Sequence, residues 1–371
     1  MLGLTPLHWD LFLRGAVAAL LLLHLLNLAL PAPRPAARLA LAGFVASVLA
    51  YLFCQRPLML LELPRPLAYA LLLLCVTNAA WLWTSARALF DDHFDWRWPA
   101  PALLVMLAIG LAANLPYFPS GPGPFVTPAP DAGVVRFGQL HALASLGFTA
   151  AALWEVARGW RADLVATRRV ARRWVALGIG IYAALALVVE LALHGDDVGL
   201  LLPALHVAGI GTVALALALF IARRSLDEVL GRSAVPPVAV PVDPPAAPAL
   251  PDKAAQALDK LNRAMSDQRE YRREGLTVAD LASTLGLGEA ALRELINQRL
   301  GFRNFNDFLH HHRLQEAAAR LGREDLPVLS IALECGYGSI GPFNRAFKQR
   351  FGMTPTEFRV SARLTGAPKT I

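Results

Sequence analysis

Seven apolar runs fill the first 225 residues, and no other feature limits the fold of this chain as strongly. The runs are Leu11–Leu30, Leu39–Cys54, Leu67–Thr84, Ala100–Tyr117, Phe137–Ala157, Trp174–Leu193 and Leu200–Ala222. A helix of about 20 apolar residues crosses the hydrocarbon layer of a membrane. Seven such runs leave few polar faces for a water-exposed surface. The sequence therefore predicts an all-α fold in which residues 1–225 form a seven-helix transmembrane bundle.

The distribution of basic residues predicts the orientation of this bundle. The connection from Arg158 to Arg173 is strongly basic, and Arg223 and Arg224 follow the last run, whereas the stretch Phe118–Val135 has no Lys or Arg. Basic loops stay in the cytoplasm. We therefore expect a multi-pass protein of a bacterial inner membrane, with its N-terminus outside and its C-terminal part in the cytoplasm. The first ten residues contain no basic residue, so the first run is expected to be a span and not a cleaved signal peptide.

Several polar side chains interrupt the apolar runs. They are Arg14, His24, Asn78, Asn114, His141, Glu155, Glu190 and His206. Ionisable groups are costly in hydrocarbon, so we expect these side chains to face the bundle interior. One interpretation is interhelical hydrogen bonding. The other is a sensing site, for which Glu190 and His206 on neighbouring runs are the main candidates, with His141 and Asn78.

A proline-rich linker follows the bundle. Residues 226–252 include the stretch Val235–Pro251, which is too rich in proline for a helix and favours an extended polyproline II conformation. At about 3.1 Å per residue it spans at most roughly 50 Å. Because such a linker does not transmit a rigid rotation, dimerisation or membrane proximity is the favoured means of signalling.

The last part of the chain, residues 253–371, has the composition of a soluble domain and two repeats of a short helical pattern. An amphipathic helix from Lys253 to about Tyr271 leads to a helix opened by Thr277, a turn at Gly286–Gly288, and a helix from Glu289 to Leu300. Two helices joined by a tight glycine-containing turn predict a helix-turn-helix, whose second helix enters the major groove of DNA.

The second repeat starts at Val328, turns at Gly336–Gly338 and continues in a helix from Ser339 to Arg350. A helix from about Asn304 to Leu321 separates the repeats and would be about 27 Å long. Successive major-groove faces on one side of DNA lie about 34 Å apart. The spacing therefore predicts that one chain places two recognition helices in adjacent grooves.

The C-terminal motifs resemble those of AraC/XylS-type transcription regulators. The resemblance lies in Ile331–Ser339, Pro342–Lys348 and Phe351–Arg359. Upstream, Leu276–Ala282 and Asn304–Leu309 resemble the first unit and the linker helix of that family. It covers about 100 residues, all in the C-terminal domain. It implies a double helix-turn-helix that binds promoter DNA, with the membrane bundle in place of the soluble ligand-binding domain usual in the family, as in its membrane-anchored members.

Outward positions near the starts of the recognition helices are the candidate base contacts. They are Glu289, Ala290, Arg293, Glu294 and Asn297 in the first helix, and Ile340, Gly341, Asn344 and Arg345 in the second. Arg293 and Arg345 are the main candidates because arginine pairs with guanine through two hydrogen bonds. The resemblance points to Arg345 in particular. A surface ion pair or a phosphate contact is the alternative for each. The expected phosphate contacts are Arg299, Arg303, Lys348 and Arg350.

No cofactor, metal or catalytic site is expected. Adjacent helical residues point about 100° apart, so His310, His311 and His312 do not converge on one ion. The cysteines Cys54, Cys75 and Cys335 lack ligand spacing and are interpreted as small buried apolar residues.

The predicted function is a membrane-anchored, one-component transcription regulator. Its expected partners are double-stranded promoter DNA, the lipid bilayer, a small ligand or membrane signal of unknown identity, and a second copy of the chain as a homodimer. The alternatives are a membrane transporter or channel with a regulatory DNA-binding domain, and a bundle that only anchors. The net charge of +7 suits two roles of arginine, which are to orient helices from the loops between apolar runs and to bind DNA phosphate from the C-terminal domain.

Overall fold

The chain is helical throughout the part that its computed structural model describes, namely residues 6–29, 35–54, 63–114, 132–192, 204, 207–216 and 252–365. In these ranges the extended pairing is limited to an isolated antiparallel bridge between Asp163 and Asn304. The chain divides into two compact units. One contains Met1–Arg158 and Val170–Ser233, and the other contains Gly159–Arg169 and Ala234–Ile371.

The first unit is built from apolar helices. They are α1 (Pro6–Ala29), α2 (Pro35–Cys54), α3 (Arg65–Val76), α4 (Asn78–Phe90), α5 (Pro99–Asn114), α6 (Ala132–Ala157), α7 (Ala166–Ala192) and α8 (Val207–Ala216). The first turn of α7 belongs to the second unit. The predicted linker at Val235–Pro251 lies outside the described residues.

The predicted count of seven spans is only partly supported. Among the described residues, three helices are long and apolar enough to cross a membrane: His8–Ala29, Pro35–Cys54 and Arg136–Ala157. A fourth is counted if the bent pair α3 and α4 is one span. The fourth predicted run forms α5, which is a shorter apolar helix, and the last forms α8, of which only Val207–Ala216 is described.

The third predicted run is not one continuous helix. It bends by 58° between α3 and α4, at Thr77. The Thr77 hydroxyl donates hydrogen bonds to the carbonyls of Leu73 and Leu74, both at 3.0 Å. A side chain that bonds to the preceding turn competes with the helical ladder, and such bonding is associated with helix bends. Periodicity alone did not predict this break because the run contains neither proline nor glycine at this point.

Small residues allow close helix packing in this unit. A Cβ added at Gly43 in α2 would lie 2.3 Å from the Trp81 ring of α4, and one added at Gly110 in α5 would lie 2.5 Å from Val76 Cβ of α3. Glycine at such contacts lets helices approach each other closely, as is typical of helices packed in membranes.

The polar side chains of the apolar runs mostly bond across helices. Asn78 Nδ2 donates to Ser47 Oγ at 3.3 Å, His141 Nε2 lies 2.9 Å from the Val76 carbonyl, and His24 Nε2 lies 3.0 Å from the Ala214 carbonyl. These contacts agree with the interhelical interpretation. The side chain of Glu190 and the whole of His206 lie outside what the structure describes.

The second unit contains the two predicted helix-turn-helix motifs. Its helices are α9 (Asp252–Ser266), a 3₁₀ helix (Glu270–Arg272), α10 (Val278–Leu285), α11 (Glu289–Leu300), α12 (Phe305–Arg323), α13 (Val328–Glu334), α14 (Ile340–Phe351) and α15 (Pro355–Thr365). The helix expected from Lys253 to about Tyr271 therefore ends at Ser266. Arg269, which has a left-handed backbone with φ of 54°, separates it from the 3₁₀ helix.

The central helix α12 belongs to two apolar cores at once. Its N-terminal half contributes Phe305, Phe308 and Leu309 to a first core with α9, α10 and α11. Its C-terminal half contributes Leu314, Ala317 and Leu321 to a second core with α13 and α14. At 1.5 Å per residue, its 19 residues span about 28 Å. Each helix-turn-helix is thus packed on one half of a single helix.

The two motifs share the same turn. In the first, Gly286 has φ of 65° and the Leu287 amide donates to the Ala282 carbonyl at 2.9 Å. In the second, Gly336 has φ of 92° and the Tyr337 amide donates to the Ala332 carbonyl at 3.1 Å. Both are glycine-terminated helix ends in which the left-handed residue closes the last turn.

Candidate nucleic-acid interface

The second recognition helix, α14, presents an exposed basic surface. Phe343 and Phe347 are buried in the second core, which turns the opposite side of the helix outward. Asn344, Arg345, Lys348 and Arg350 are all exposed. The helix sequence contains no acidic residue. This arrangement suits a helix that lies in a groove between two rows of phosphates.

Two further predicted positions on α14 are less accessible. Ile340 is half-buried and packs against the second core. Gly341 is half-buried, and an added Cβ there would lie 3.6 Å from Arg345 Nη1. The exposed ones among the predicted positions on this helix are therefore Asn344, Arg345, Lys348 and Arg350.

The first recognition helix, α11, has a different outer surface. Leu292, Leu295 and Ile296 are buried in the first core, while Glu289, Ala290, Glu294 and Arg299 are exposed. Two of these four residues are acidic, so the surface is less basic than that of α14. Acidic side chains repel phosphates but accept hydrogen bonds from cytosine amino groups.

Arg293, one of the two main candidates for base contact, is buried in this structure. Its relative exposure is 7%. Its Nε donates to Glu289 Oε1 at 3.0 Å, its Nη1 to the Asp163 carbonyl at 2.8 Å and its Nη2 to the Arg161 carbonyl at 2.7 Å. Because Nη2 also donates to Glu289 Oε1, four of the five guanidinium N–H groups donate hydrogen bonds, and the one that remains on Nη1 cannot make the paired hydrogen bonds that arginine forms with a guanine edge.

The remaining predicted residues are Asn297 in α11 and Arg303, which follows the end of that helix. Asn297 is half-buried, and its Nδ2 donates to the Phe302 carbonyl at 2.9 Å. The side chain of Arg303 is half-buried, and its carbonyl accepts the Leu164 amide at 3.0 Å. Sequence reasoning placed Arg293, Asn297 and Arg303 toward DNA. In the structure Arg293 contacts the segment Gly159–Arg169 through its side chain, and Arg303 contacts it through its carbonyl.

Sequence reasoning did not identify the residues that hold the two motifs together. Arg313 in α12 is buried, and it donates from Nε to the Tyr271 carbonyl at 2.6 Å and from Nη2 to the Arg273 carbonyl at 2.9 Å. Gly336 meets the same backbone, because an added Cβ would lie 2.5 Å from the Arg272 carbonyl oxygen. The turn of the second motif is thereby packed against the segment that precedes the first.

The three histidines of α12 contribute aromatic packing to this junction. His310 stacks on Tyr337 with its Nδ1 2.9 Å from the phenol oxygen, and His312 stacks on Tyr271. His311 makes an edge contact with Phe302. Burial, with a smaller effect of Arg313, lowers the pKa of His310 to about 4. Burial, with a smaller effect of His311, lowers the pKa of His312 to about 4.

An ion pair also bridges the junction. Arg272 Nε donates to Glu316 Oε2 at 2.9 Å. Partial burial raises the pKa of the Glu316 carboxyl, but the hydrogen bond and charge of Arg272 outweigh this effect and lower the pKa overall. The junction is therefore held by both apolar and charged contacts.

Comparison with known proteins assigns this architecture. The model of a helix-turn-helix domain family matches residues 281–361. The probable transcription factor PqrA of Proteus vulgaris is 33% identical over 88 residues, which are 24% of this chain and 71% of that protein. The chain belongs to the AraC family of transcription regulators.

Other similar AraC-family regulators are longer than the matched region. The RCS-specific HTH-type transcriptional activator RclR of Escherichia coli is 35% identical over 28% of this chain and 36% of its own length. The probable transcriptional regulator LumQ of Photobacterium leiognathi is 24% identical over 29% of this chain and 43% of its own length. The chain thus covers less than half the length of these two relatives. No solved structure matches it.

Proposed function

We propose that this chain is a membrane-anchored transcription regulator whose seven-span bundle, residues 1–225, receives a signal and whose C-terminal domain, residues 253–371, binds promoter DNA. One observation carries the DNA-binding part. Helix α12 holds a helix-turn-helix on each half, and α14 presents Arg345 with Lys348 and Arg350 on an exposed face. A length of about 28 Å suits recognition helices in successive major grooves.

Two observations support the membrane part. Helices α1, α2 and α6 have the length and apolar composition of membrane spans. The basic connection that the positive-inside rule assigns to the cytoplasm contains Gly159–Arg169, which folds in the same unit as the C-terminal domain. This grouping supports a topology in which both lie on the cytoplasmic side of the membrane.

The transporter alternative has less support. Transporters of the inverted-repeat type contain broken helices at corresponding positions in two halves. In the described ranges the structure contains one such bent pair, at Thr77.

The DNA-binding proposal is tested with the full chain in lipid nanodiscs and a pool of random-sequence duplexes. We expect selection to recover a defined sequence. Arg345→Ala should then remove the preference at one position of that sequence, at a cost of about 1–3 kcal/mol in specific binding. The matched variant Lys348→Ala should weaken all duplexes alike and reduce the salt dependence by about one counterion. Recovery of no sequence preference by the wild-type chain would refute sequence-specific binding.

Topology is tested separately, by labelling single cysteines in membrane vesicles of known orientation. Labels in the Phe118–Val135 connection should react from outside, and labels in the Arg158–Arg173 connection only from the cytoplasmic side. Equal reaction of both from one side would refute the proposed orientation.

A further inference from the structure

The segment Gly159–Arg169, here called the docking segment, folds with the DNA-binding domain although it lies between two helices of the other unit. The chain leaves the first unit after Arg158, contributes these residues to the second unit, and returns at Val170. The docking segment is therefore covalently continuous with α6 on one side and α7 on the other. Its last four residues form the first turn of α7.

The docking segment pairs through its backbone with the residues before α12. The Leu164 amide donates to the Arg303 carbonyl at 3.0 Å, and the Phe305 amide donates to the Ala162 carbonyl at 2.9 Å. These bonds form the antiparallel bridge between Asp163 and Asn304. Reciprocal backbone bonds fix the register of the two strands without regard to side chains.

Several side chains of the docking segment are also buried. Leu164 is 2% exposed and belongs to the first core, against which Ala162 packs as well. Asp163 and Arg168 are both buried, and Arg168 Nε lies 3.4 Å from Asp163 Oδ2. The Asp163 carboxylate also accepts the Val165 amide at 3.0 Å. Leu164 therefore anchors the docking segment in the first core, while the buried ion pair stabilises the conformation of the segment itself.

While the docking segment is in this position, Arg293 of the first recognition helix is not available to contact a base. The carbonyls of Arg161 and Asp163 accept two of the hydrogen bonds of Arg293. Pairing with a guanine edge needs two N–H groups, and these carbonyls together with Glu289 leave one among the described contacts. The second recognition helix has no such competitor in the described part of the chain, since Arg345 is exposed.

We infer that the docking segment is an intramolecular competitor of DNA for the Arg293 flank of α11, and that the helices continuous with it control the first helix-turn-helix through it. Docked, the domain binds DNA with α14 alone. Undocked, Arg293 is free to contact a base and both motifs engage. This inference rests on the proposed DNA binding. It supplies a connection to the membrane part that bypasses the proline-rich linker.

The first test uses hydrogen exchange in the wild-type chain in lipid nanodiscs, with and without the duplex recovered by selection. We expect the Leu164 and Phe305 amides to be protected in the free chain and to exchange faster when DNA is bound, because their bonds across the docking segment break. The Leu287 amide, whose bond lies inside the first motif, is the internal control and should remain protected. Unchanged exchange at Leu164 and Phe305 in the DNA complex would overturn the inference.

The second test uses a variant on the docking segment. Leu164→Ala removes the apolar anchor and should release the docking segment. The affinity for the selected duplex should then rise by the reciprocal of the fraction of wild-type chains that is undocked, on the order of 10-fold. Arg161→Ala is the matched control, because its side chain is exposed and its docking contact is made by its carbonyl. It should show no gain in affinity. Weaker or equal binding by Leu164→Ala, with normal protection in α10 and α11, would overturn the inference.

The outcomes separate the two proposals. If neither the wild-type chain nor Leu164→Ala prefers any duplex, the proposed function fails and the inference fails with it. If the wild-type chain selects a sequence while the docking segment stays protected, only the inference fails. If Leu164→Ala does not fold, the exchange measurement on the wild-type chain decides.

Discussion

The two helix-turn-helix motifs of this protein have nearly the same backbone and different surroundings. Both close their first helix with a left-handed glycine and the same backbone hydrogen bond, and both pack on α12. The first is opened by a side-chain capping box, and the flank of its recognition helix is covered by the docking segment. The second has its turn pressed against the Arg272 backbone and leaves its recognition helix exposed.

This difference shows that the motif alone does not determine which residues are available to DNA. Arg293 and Arg345 lie in the equivalent recognition helices α11 and α14, and both have a guanidinium group. One is buried by a segment 130 residues away in the sequence, and the other is exposed. The surroundings of each motif, which arise from tertiary structure, decide the difference.

The largest expected effect comes from the turn glycines. Gly336→Ala should destabilise the domain by about 2–4 kcal/mol, because the methyl group meets the Arg272 carbonyl and the residue has a positive φ. The measurement is the free energy of unfolding of the second unit in the full chain.

Gly286→Ala is the matched variant in the first motif. It has a similar φ but open space around its Cβ position, so only the backbone cost of about 1 kcal/mol applies. Equal destabilisation by both substitutions would show that the contact with Arg272 does not distinguish the two turns.

Acid is also expected to destabilise the domain. His310 and His312 have pKa values near 4, below their ordinary value of 6.5. Between pH 6.5 and 4 the unfolded chain binds protons that the folded domain does not, so stability should fall as the pH falls. The full stability should be present above pH 6.5. Below this pH each histidine should lower the free energy of unfolding by at most about 1.4 kcal/mol per pH unit.

His312→Phe keeps a ring against Tyr271 and removes the titrating group. It should reduce the slope of stability against pH in this range, as measured by denaturant unfolding at several pH values. An unchanged slope would exclude His312 as a source of the acid sensitivity.

The smallest effect is expected from the helix caps. The Asp280 amide donates to Thr277 Oγ1 at 3.2 Å, and the Thr277 amide donates to Asp280 Oδ2 at 3.0 Å. Thr277→Ala should therefore cost about 1 kcal/mol of unfolding free energy. Ser339 occupies the same position before α14 but makes no side-chain capping bond within the described residues. Ser339→Ala should change stability by a few tenths of a kcal/mol, and a larger loss would contradict this difference.

Local features of the C-terminal domain could be predicted from the sequence. The cap at Thr277 and the glycine turns depend on residues within one or two helical turns, and the structure confirms them. The family assignment was predicted for the same reason, since its motifs are contiguous.

Features that depend on distant contacts could not be predicted. The burial of Arg293 requires Asp163, and the constraint on Gly336 requires the Arg272 backbone. The break at Thr77 depends on whether a hydroxyl bonds to its own helix or elsewhere, which composition does not decide. The base-contacting roles of the remaining predicted residues stay predictions.

The position of the docking segment also has a consequence for synthesis of the protein. Asp163 leaves the ribosome 130 residues before Arg293, which at typical translation speeds is an interval on the order of 10 s. During this interval Leu164 has no core to enter. A nascent chain that stops before α11 therefore exposes an apolar side chain that the finished protein buries.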